Sequence, residues 1–129
     1  MASWDVAPVL RVRDVRRSVA YYRDCLGFDC PDDAVMDGGG DEGAIYAILR
    51  RDGVMVHLGR ARTEHEIDPG RPPNAIGVYL FVEDVKPLFD DFRRRGAEVV
   101  SEPCVMSYGL EEIVVRDLDG YYLSFGAPA

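Results

Sequence analysis

The pattern of hydrophobic and polar positions changes from strand-like to helical, and it does so twice along the chain. Residues 6–12 and 76–82 are apolar runs typical of strands. Each run is followed by apolar side chains three or four positions apart, which form one stripe of a short amphipathic helix. The two stripes consist of Val15, Val19, Tyr22 and Leu26, and of Val85, Leu88, Phe89 and Phe92.

The residues at the ends of each stripe support the prediction of two helices. Asp14 and Asp84 precede the stripes, where a carboxylate can accept a hydrogen bond from a free N–H group of the first helical turn. Gly27 and Gly96 follow the stripes and suit the left-handed conformation that ends many helices. Each stripe therefore predicts a helix between an aspartate and a glycine.

Further apolar runs predict the strands that follow each helix. Asp52-Gly53 and Asp119-Gly120 each lie between two such runs, and an Asp-Gly pair is a strong signal for a β-hairpin. Residues 32–43 are acidic and rich in glycine and are predicted to form a mobile loop. The predicted strands are residues 44–50 and 54–59 in the first half, and residues 98–101, 111–116 and 121–126 in the second.

The second half of the chain repeats the first. Leu, Val, Asp and Val occupy identical places in residues 10–15 and 80–85, an offset of 70. We therefore predict one α+β domain over residues 1–129 that consists of two tandem βαβββ modules. Module one covers about residues 5–59 and module two about residues 76–126, with a linker over residues 60–75. The modules are expected to build a curved mixed sheet around a shared cleft.

Alternation along the strands separates residues beneath the helices from residues that face the cleft. A register error of one position would exchange the two sets. The set predicted to lie beneath the helices is Leu10, Val12, Val54, Val56, Leu58, Val78, Leu80, Val82, Leu123 and Phe125. The set predicted to face the cleft is Ala7, Val9, Arg11, Met55, His57, Gly59, Gly77, Tyr79, Phe81, Tyr122, Ser124 and Gly126.

The charge of the chain narrows the choice of partner. A formal net charge of −8 and a pI near 4.7 argue against nucleic acid and anionic membranes, since both require clustered cations. The same charge is compatible with a neutral or cationic ligand.

The sequence also indicates the cellular compartment. No apolar run is long enough for a signal peptide or a membrane span. Three cysteines without a C-x-x-C spacing indicate no disulfide framework. We therefore expect a cytoplasmic protein.

Aromatic side chains are the main candidates for ligand contacts. Tyr79, Phe81, Tyr122 and Tyr108 would line the cleft for a flat or cationic ligand. For each of them the alternative is ordinary packing within the sheet or at an interface. The remaining ligand-binding candidates are Arg11, Met55, Ser124 and His57.

The charged candidates have open alternatives. Arg11 either pairs with an anionic group of a ligand or forms an ion pair with an acid such as Glu83. Glu111 and Glu112 could bind a cation, but adjacent strand residues point to opposite faces, so at most one of them faces the cleft. His57 is the one weak candidate for catalysis, because imidazole can exchange a proton near neutral pH. Its alternative is a neutral side chain that is hydrogen-bonded in a half-buried strand.

The order and spacing of these motifs resemble a known superfamily. The motifs are LRVRDVRRSVAYYRDCLGF at residues 10–28, Tyr108-Gly109, and RDLDGYYLSF at residues 116–125. With the duplicated βαβββ plan they look like the vicinal oxygen chelate superfamily, which includes glyoxalase I, extradiol dioxygenases, fosfomycin-resistance enzymes and bleomycin-resistance proteins. The likeness covers about residues 6–125 and is nearest to the bleomycin-resistance type, in which an aromatic-Gly pair precedes the last hairpin.

The resemblance implies four positions for metal ligands, one on the first and one on the last strand of each module. In this sequence those positions hold Ala7, His57, Gly77 and Ser124. Ala and Gly have no ligand atom, and Ser is a poor ligand for a first-row divalent ion. One histidine cannot supply the three protein ligands of a typical catalytic site. We therefore predict that the chain binds no metal and uses no other cofactor.

The function implied by the resemblance is binding and sequestration of a small planar or cationic molecule, with a bleomycin-like antibiotic as one candidate. The first alternative is a glyoxalase- or dioxygenase-like enzyme that depends on a metal or on His57 as a base. A second alternative is a module whose cleft is occupied by another protein chain. The resemblance also implies a homodimer, with Pro8 as a hinge for exchange of the first strand.

Overall fold

The strands and helices occur in the predicted order and form two similar modules. A computed structural model describes residues 4–40, 42–70 and 75–129. No helix among these residues is long and apolar enough to cross a membrane. Module one contains β1 (Val9–Val12), α1 (Val15–Leu26), β2 (Val35–Asp37), β3 (Ala44–Arg51) and β4 (Val54–Arg60). Module two contains β5 (Ile76–Phe81), α2 (Val85–Arg95), β6 (Glu98–Val105), β7 (Leu110–Arg116) and β8 (Tyr122–Pro128).

Each module forms one four-stranded mixed sheet. The strand order is β1-β4-β3-β2 in the first sheet and β5-β8-β7-β6 in the second. β1 runs parallel to β4 and β5 runs parallel to β8, whereas the other neighbouring strands are antiparallel. The prediction of an α+β fold with a duplicated βαβββ plan is therefore confirmed.

Local residue chemistry sets the ends of both helices. The side chains of Asp14 and Asp84 accept hydrogen bonds from backbone N–H groups of the first turn, at 3.1 and 3.2 Å. Gly27 and Gly96 end the helices at φ values of 72° and 86°, a region that side chains with a Cβ atom rarely adopt. The aspartates and glycines predicted to bound the helices do so.

The largest differences from the prediction are in three strands, whereas the other strands differ by one or two residues at their ends. The segment 32–43 was predicted to be a loop, but it contains β2, because Val35, Met36 and Asp37 pair with the edge of β3. β1 begins at Val9 rather than at residue 6, since Pro8 has no N–H group to donate to the sheet. β6 continues to Val105 rather than ending at residue 101. Residues 71–74 of the predicted linker lie outside the described residues.

Both sheets turn their helix side toward one shared core. A single cluster of buried apolar residues contains side chains from both helices and both sheets. Eight of the ten residues predicted to lie beneath the helices are buried, and the other two, Val54 and Val82, are partly buried against the same cluster. The opposite face of each sheet is consequently turned away from this core.

Asp119 in the turn between β7 and β8 connects the two modules. Its side chain is buried and accepts hydrogen bonds from the backbone N–H of Arg13 at 3.0 Å and from the Ser18 hydroxyl at 2.9 Å. The Arg13 guanidinium adds an ion pair at 3.2 Å. The second hairpin is therefore docked on the end of β1 and the start of α1.

Asp117 is a buried residue of the same hairpin and accepts hydrogen bonds from the backbone of the turn and from α1. Its Oδ1 atom accepts hydrogen bonds from the backbone N–H groups of Asp119 and Tyr121, at 3.0 and 2.8 Å. Its Oδ2 atom accepts a hydrogen bond from the Tyr22 hydroxyl of α1 at 2.6 Å. Burial of this carboxyl group raises the pKa of Asp117 to about 6. The D-x-D-G motif thus provides the contacts between modules as well as a turn.

Candidate functional site

The face of the second sheet that is turned away from the core brings several predicted residues together. Strand alternation places on this face every second residue of β5, β7 and β8, and the register aligns them in two rows. One row consists of Tyr79, Ser124 and Val114, and the next of Phe81, Gly126 and Glu112. We call this surface the open face of the second sheet.

Glu112 occupies the middle of this open face. Only 8% of the residue is exposed, although it is an acid on the side of the sheet away from the core. Its Oε2 atom accepts hydrogen bonds from the hydroxyl groups of Tyr79 and Tyr108, both at 2.6 Å. Glu111 is the neighbour whose side chain points to the other face, so the structure selects Glu112 from the predicted pair.

The two tyrosine hydroxyls act as hydrogen-bond donors. Burial raises the pKa of Tyr79, and the hydrogen bond to the Glu112 carboxylate raises it further. The hydrogen bond to Glu112 also raises the pKa of Tyr108. Both hydroxyls therefore keep their protons at neutral pH, and one carboxylate oxygen holds two phenol groups from different parts of module two.

Gly126 makes this arrangement possible. Tyr79 lies on β5 and Glu112 lies on β7, with β8 between them. A Cβ atom at position 126 would overlap the hydroxyl and ring of Tyr79. The tyrosine can therefore reach across β8 only because that position has no side chain. In the first sheet the repeat counterpart, Gly59, lies under the Arg11 guanidinium, 2.9 Å from the place of an added Cβ.

The remaining aromatic candidates surround this cluster. Phe81 is 74% exposed, and its ring centre lies 5.0 Å from that of Tyr79. Tyr122 lies on the same face under the guanidinium of Arg116, 5.9 Å from the ring centre. Ser124 is 2% exposed, so a ligand on this face would meet Phe81 and the rings around it before the serine.

The other predicted residues lie on the corresponding face of the first sheet. This open face of the first sheet carries Arg11, Met55 and His57, which the register of β1 and β4 places on adjacent strands. The predicted site residues are therefore divided between two faces of one chain. Arg11 takes part in no ion pair within the part of the chain that the structure describes, and the proposed pairing with Glu83 is absent there.

His57 has a partner that the sequence analysis missed. The hydroxyl of Tyr46 on β3 lies 2.6 Å from His57 Nδ1, and the two rings meet edge to face. His57 Nε2 is buried and has no hydrogen-bond partner among the described residues. Alternation within the run 44–50 could have identified Tyr46, since it shares a face with Ile48, the cross-strand neighbour of His57. This pair therefore satisfies one ring nitrogen of His57 and leaves the other, Nε2, buried without a partner among the described residues.

The four family positions do not fit a metal ion. His57 lies in the first sheet, whereas Gly77 and Ser124 lie in the second, and Ala7 precedes β1. Over residues 4–40, 42–70 and 75–129 there is no group of three or more His, Cys, Asp or Glu side chains that could hold a metal ion. The donor set is one imidazole and one hydroxyl, which is too weak for a first-row divalent ion.

A cavity of about 810 Å³ lies on the helix side of the sheets instead. It separates the first hairpin from the start of α2 and is lined by apolar residues of the core margin, with Asp52, Glu83 and Asp84 around it. Of the predicted site residues it contains only Phe81. Its lining includes Asp52, Glu83 and Leu88, which are the repeat counterparts of Asp119, Arg13 and Ser18. Asp52 is 91% exposed and does not dock there as Asp119 does in the second hairpin. This cavity is distinct from the tyrosine–glutamate cluster.

Comparison with known families and proteins supports the fold. The model of the Glyoxalase/Bleomycin resistance protein/Dioxygenase superfamily matches residues 6–125. No curated protein sequence gives a significant match.

Several solved structures share the architecture at low sequence identity. TioX from Micromonospora sp. ML1 is 21% identical with a TM-score of 0.74, covering 98% of this chain and 100% of TioX. The bleomycin-binding protein from Streptomyces verticillus, in complex with copper(II)-bleomycin, is 23% identical with a TM-score of 0.70, covering 100% and 99%. TnmS3, an antibiotic binding protein from Streptomyces sp. CB03234, is 23% identical with a TM-score of 0.66, covering 100% and 99%.

Proposed function

Because the chain belongs to the Glyoxalase/Bleomycin resistance protein/Dioxygenase superfamily, we propose that it binds and sequesters a small planar or cationic molecule without transforming it. The observation that carries this proposal is the cluster of Tyr79, Tyr108 and Glu112 on a sheet face that the core does not use. Two structural neighbours are described as bleomycin-binding and antibiotic-binding proteins. A bleomycin-like antibiotic is accordingly one candidate ligand.

The cleft would be completed by a second copy of the chain. β1 and β5 are edge strands, and each carries exposed apolar side chains: Val9 is 48% exposed, Ile76 43% and Phe81 74%. Unpaired edges with apolar residues favour association. We propose a two-fold homodimer in which these edge strands lie at the interface, so that open faces of the two copies border a shared cleft. Exchange of the first strand at Pro8 is one way to form it.

A homodimer predicts a particle mass of about twice 14.4 kDa in solution. Light scattering coupled to gel filtration, over a range of micromolar concentrations, would measure it. The mass is expected to be constant across that range, because a dimer whose interface completes the ligand site should not dissociate at micromolar concentrations. A mass near 14.4 kDa at every concentration would contradict the dimer and leave each open face uncovered.

Ligand capture predicts a loss of affinity when Tyr108 is truncated. The ring is 61% exposed at the edge of the open face, so Tyr108→Ala removes stacking surface while it leaves the core intact. We expect the affinity for a planar ligand to fall roughly tenfold to hundredfold. Planar and cationic compounds, bleomycin among them, would be screened by thermal shift, and calorimetry would compare the variants on the strongest binder.

Tyr108→Phe is the matched control for this variant. It keeps the ring and loses only the hydrogen bond to Glu112, so it should retain most of the affinity. A ligand that wild-type protein and Tyr108→Ala bind equally well would show that this ring is not a ligand contact. A screen in which no compound binds would argue against the proposed function.

An enzyme remains the second candidate function because of His57. When Nδ1–H donates to the Tyr46 oxygen, the unpartnered Nε2 is the acceptor nitrogen of the ring, and base catalysis would then require a movement that opens this buried atom to a bound molecule. Turnover of any screened compound that His57→Gln abolishes would favour this alternative over sequestration.

A further inference from the structure

We infer that Glu112 supplies the negative charge that binds a cationic group of the ligand, so that the open face of the second sheet prefers a flat organic cation to a neutral molecule of the same shape. The inference rests on the small-molecule binding proposed above and adds the chemical class of the ligand. It also assigns a role to a residue that is distinct from the four family positions for metal ligands.

Glu112 is a buried acid without a basic partner in the described part of the chain. It is 8% exposed, and none of the ion pairs among the described residues includes it. A carboxylate that is removed from water without a counter-charge destabilises a fold. Arg116 on the same face contacts the ring of Tyr122 and the carboxylate of Glu98 instead. The missing counter-charge can therefore be supplied by a ligand.

Half of the Glu112 carboxylate is free to receive that ligand. Both tyrosine hydroxyls donate to Oε2, and no hydrogen bond from a described residue reaches Oε1. Oε1 therefore has unused capacity to accept a hydrogen bond, and an ammonium or protonated ring nitrogen of a ligand could donate to it.

The surrounding rings suit a flat cation. Tyr108 is 61% exposed and Phe81 is 74% exposed, so their apolar surfaces are available beside the carboxylate. The electron-rich faces of aromatic rings attract cations, and ring stacking favours flat molecules. A ligand that combines a planar ring with positive charge can use both the rings and Oε1, whereas a neutral analogue can use only the rings.

The test compares two probes of matched shape, 10-methylacridinium and 9-methylacridine, by calorimetry. Wild-type protein is expected to bind the cation at least about tenfold more tightly than the neutral compound. Glu112→Gln keeps the shape of the side chain and can still accept the tyrosine hydrogen bonds. It should lower the affinity for the cation roughly tenfold to hundredfold and leave that for 9-methylacridine nearly unchanged.

Glu111→Gln is the matched control, because it removes the same charge from the adjacent residue on the opposite face. It should preserve the preference for the cation. Chemical denaturation supplies an independent readout. Glu112→Gln should be at least as stable as wild type, because the substitution removes a buried charge that has no counter-charge in the absence of a ligand.

Each outcome bears on one of the two proposals. Equal binding of both acridines by wild type, or an unchanged affinity of Glu112→Gln for the cation, would overturn this inference and leave small-molecule binding in place. Absence of binding by both acridines would also overturn it, and the wider compound screen would then decide the proposed function separately. A destabilised Glu112→Gln protein with an unchanged cation preference would identify Glu112 as a purely structural residue.

Discussion

Asp119→Ala is expected to lower the free energy of unfolding by about 3–5 kcal/mol. Asp119 is 7% exposed, and its carboxylate accepts hydrogen bonds from the backbone N–H of Arg13 and the hydroxyl of Ser18 across the module boundary. Its removal leaves these donors without a partner in a region that excludes water, and each such group carries a desolvation penalty. Urea or guanidinium unfolding at a fixed protein concentration would measure the change.

The internal repeat supplies the control for this prediction. Asp52 is the counterpart of Asp119 in the first hairpin, but its side chain is 91% exposed, and Arg51 is an ion-pair partner at 3.7 Å. Asp52→Ala should therefore lower the free energy of unfolding by no more than about 1 kcal/mol, chiefly because alanine tolerates the left-handed φ of 48° at this position less well than aspartate. Equal losses from the two substitutions would mean that the docked hairpin contributes nothing specific to the contact between modules.

Asp117 is expected to make the stability of the fold decrease as the pH rises from about 4 to about 6. Burial raises the pKa of this carboxyl from 3.8 to about 6 in the folded chain. Within that window the folded state holds a proton that the unfolded state has lost, so raising the pH favours unfolding. A difference of about two pKa units corresponds to about 3 kcal/mol. Ionisation of Asp117 should therefore lower the free energy of unfolding by about this amount at pH 7 relative to pH 4.

Asp117→Asn isolates this effect from all other titrating groups. The amide oxygen can keep the hydrogen bonds from the backbone N–H groups of Asp119 and Tyr121, and the amide nitrogen can donate to the Tyr22 oxygen. The stability difference between the variant and wild type should therefore shift in favour of the variant by about 3 kcal/mol between pH 4 and pH 7. A difference that does not change with pH would contradict the raised pKa.

The sequence alone predicts the elements whose signals are local. Helical spacing, an aspartate before each stripe and a glycine after it act within a few residues, so both helices follow from the sequence. Strand alternation has a period of two, and it identified the residues beneath the helices for the same reason. β2 was missed because its polar and glycine-rich surroundings resemble a loop, and only its pairing with β3 makes it a strand.

Tertiary structure decides which candidates act together, because those contacts join residues that are far apart in the chain. The sequence analysis identified Tyr79, Tyr108 and Glu112 as separate candidates. In the structure, Tyr79 crosses β8 at Gly126, and both tyrosine hydroxyls donate to the same carboxylate oxygen of Glu112. The contacts of Asp119 with Ser18 span 101 residues, and no local spacing encodes them. The helix sides of both sheets pack on one shared core, so the predicted site residues are divided between two open faces of one chain.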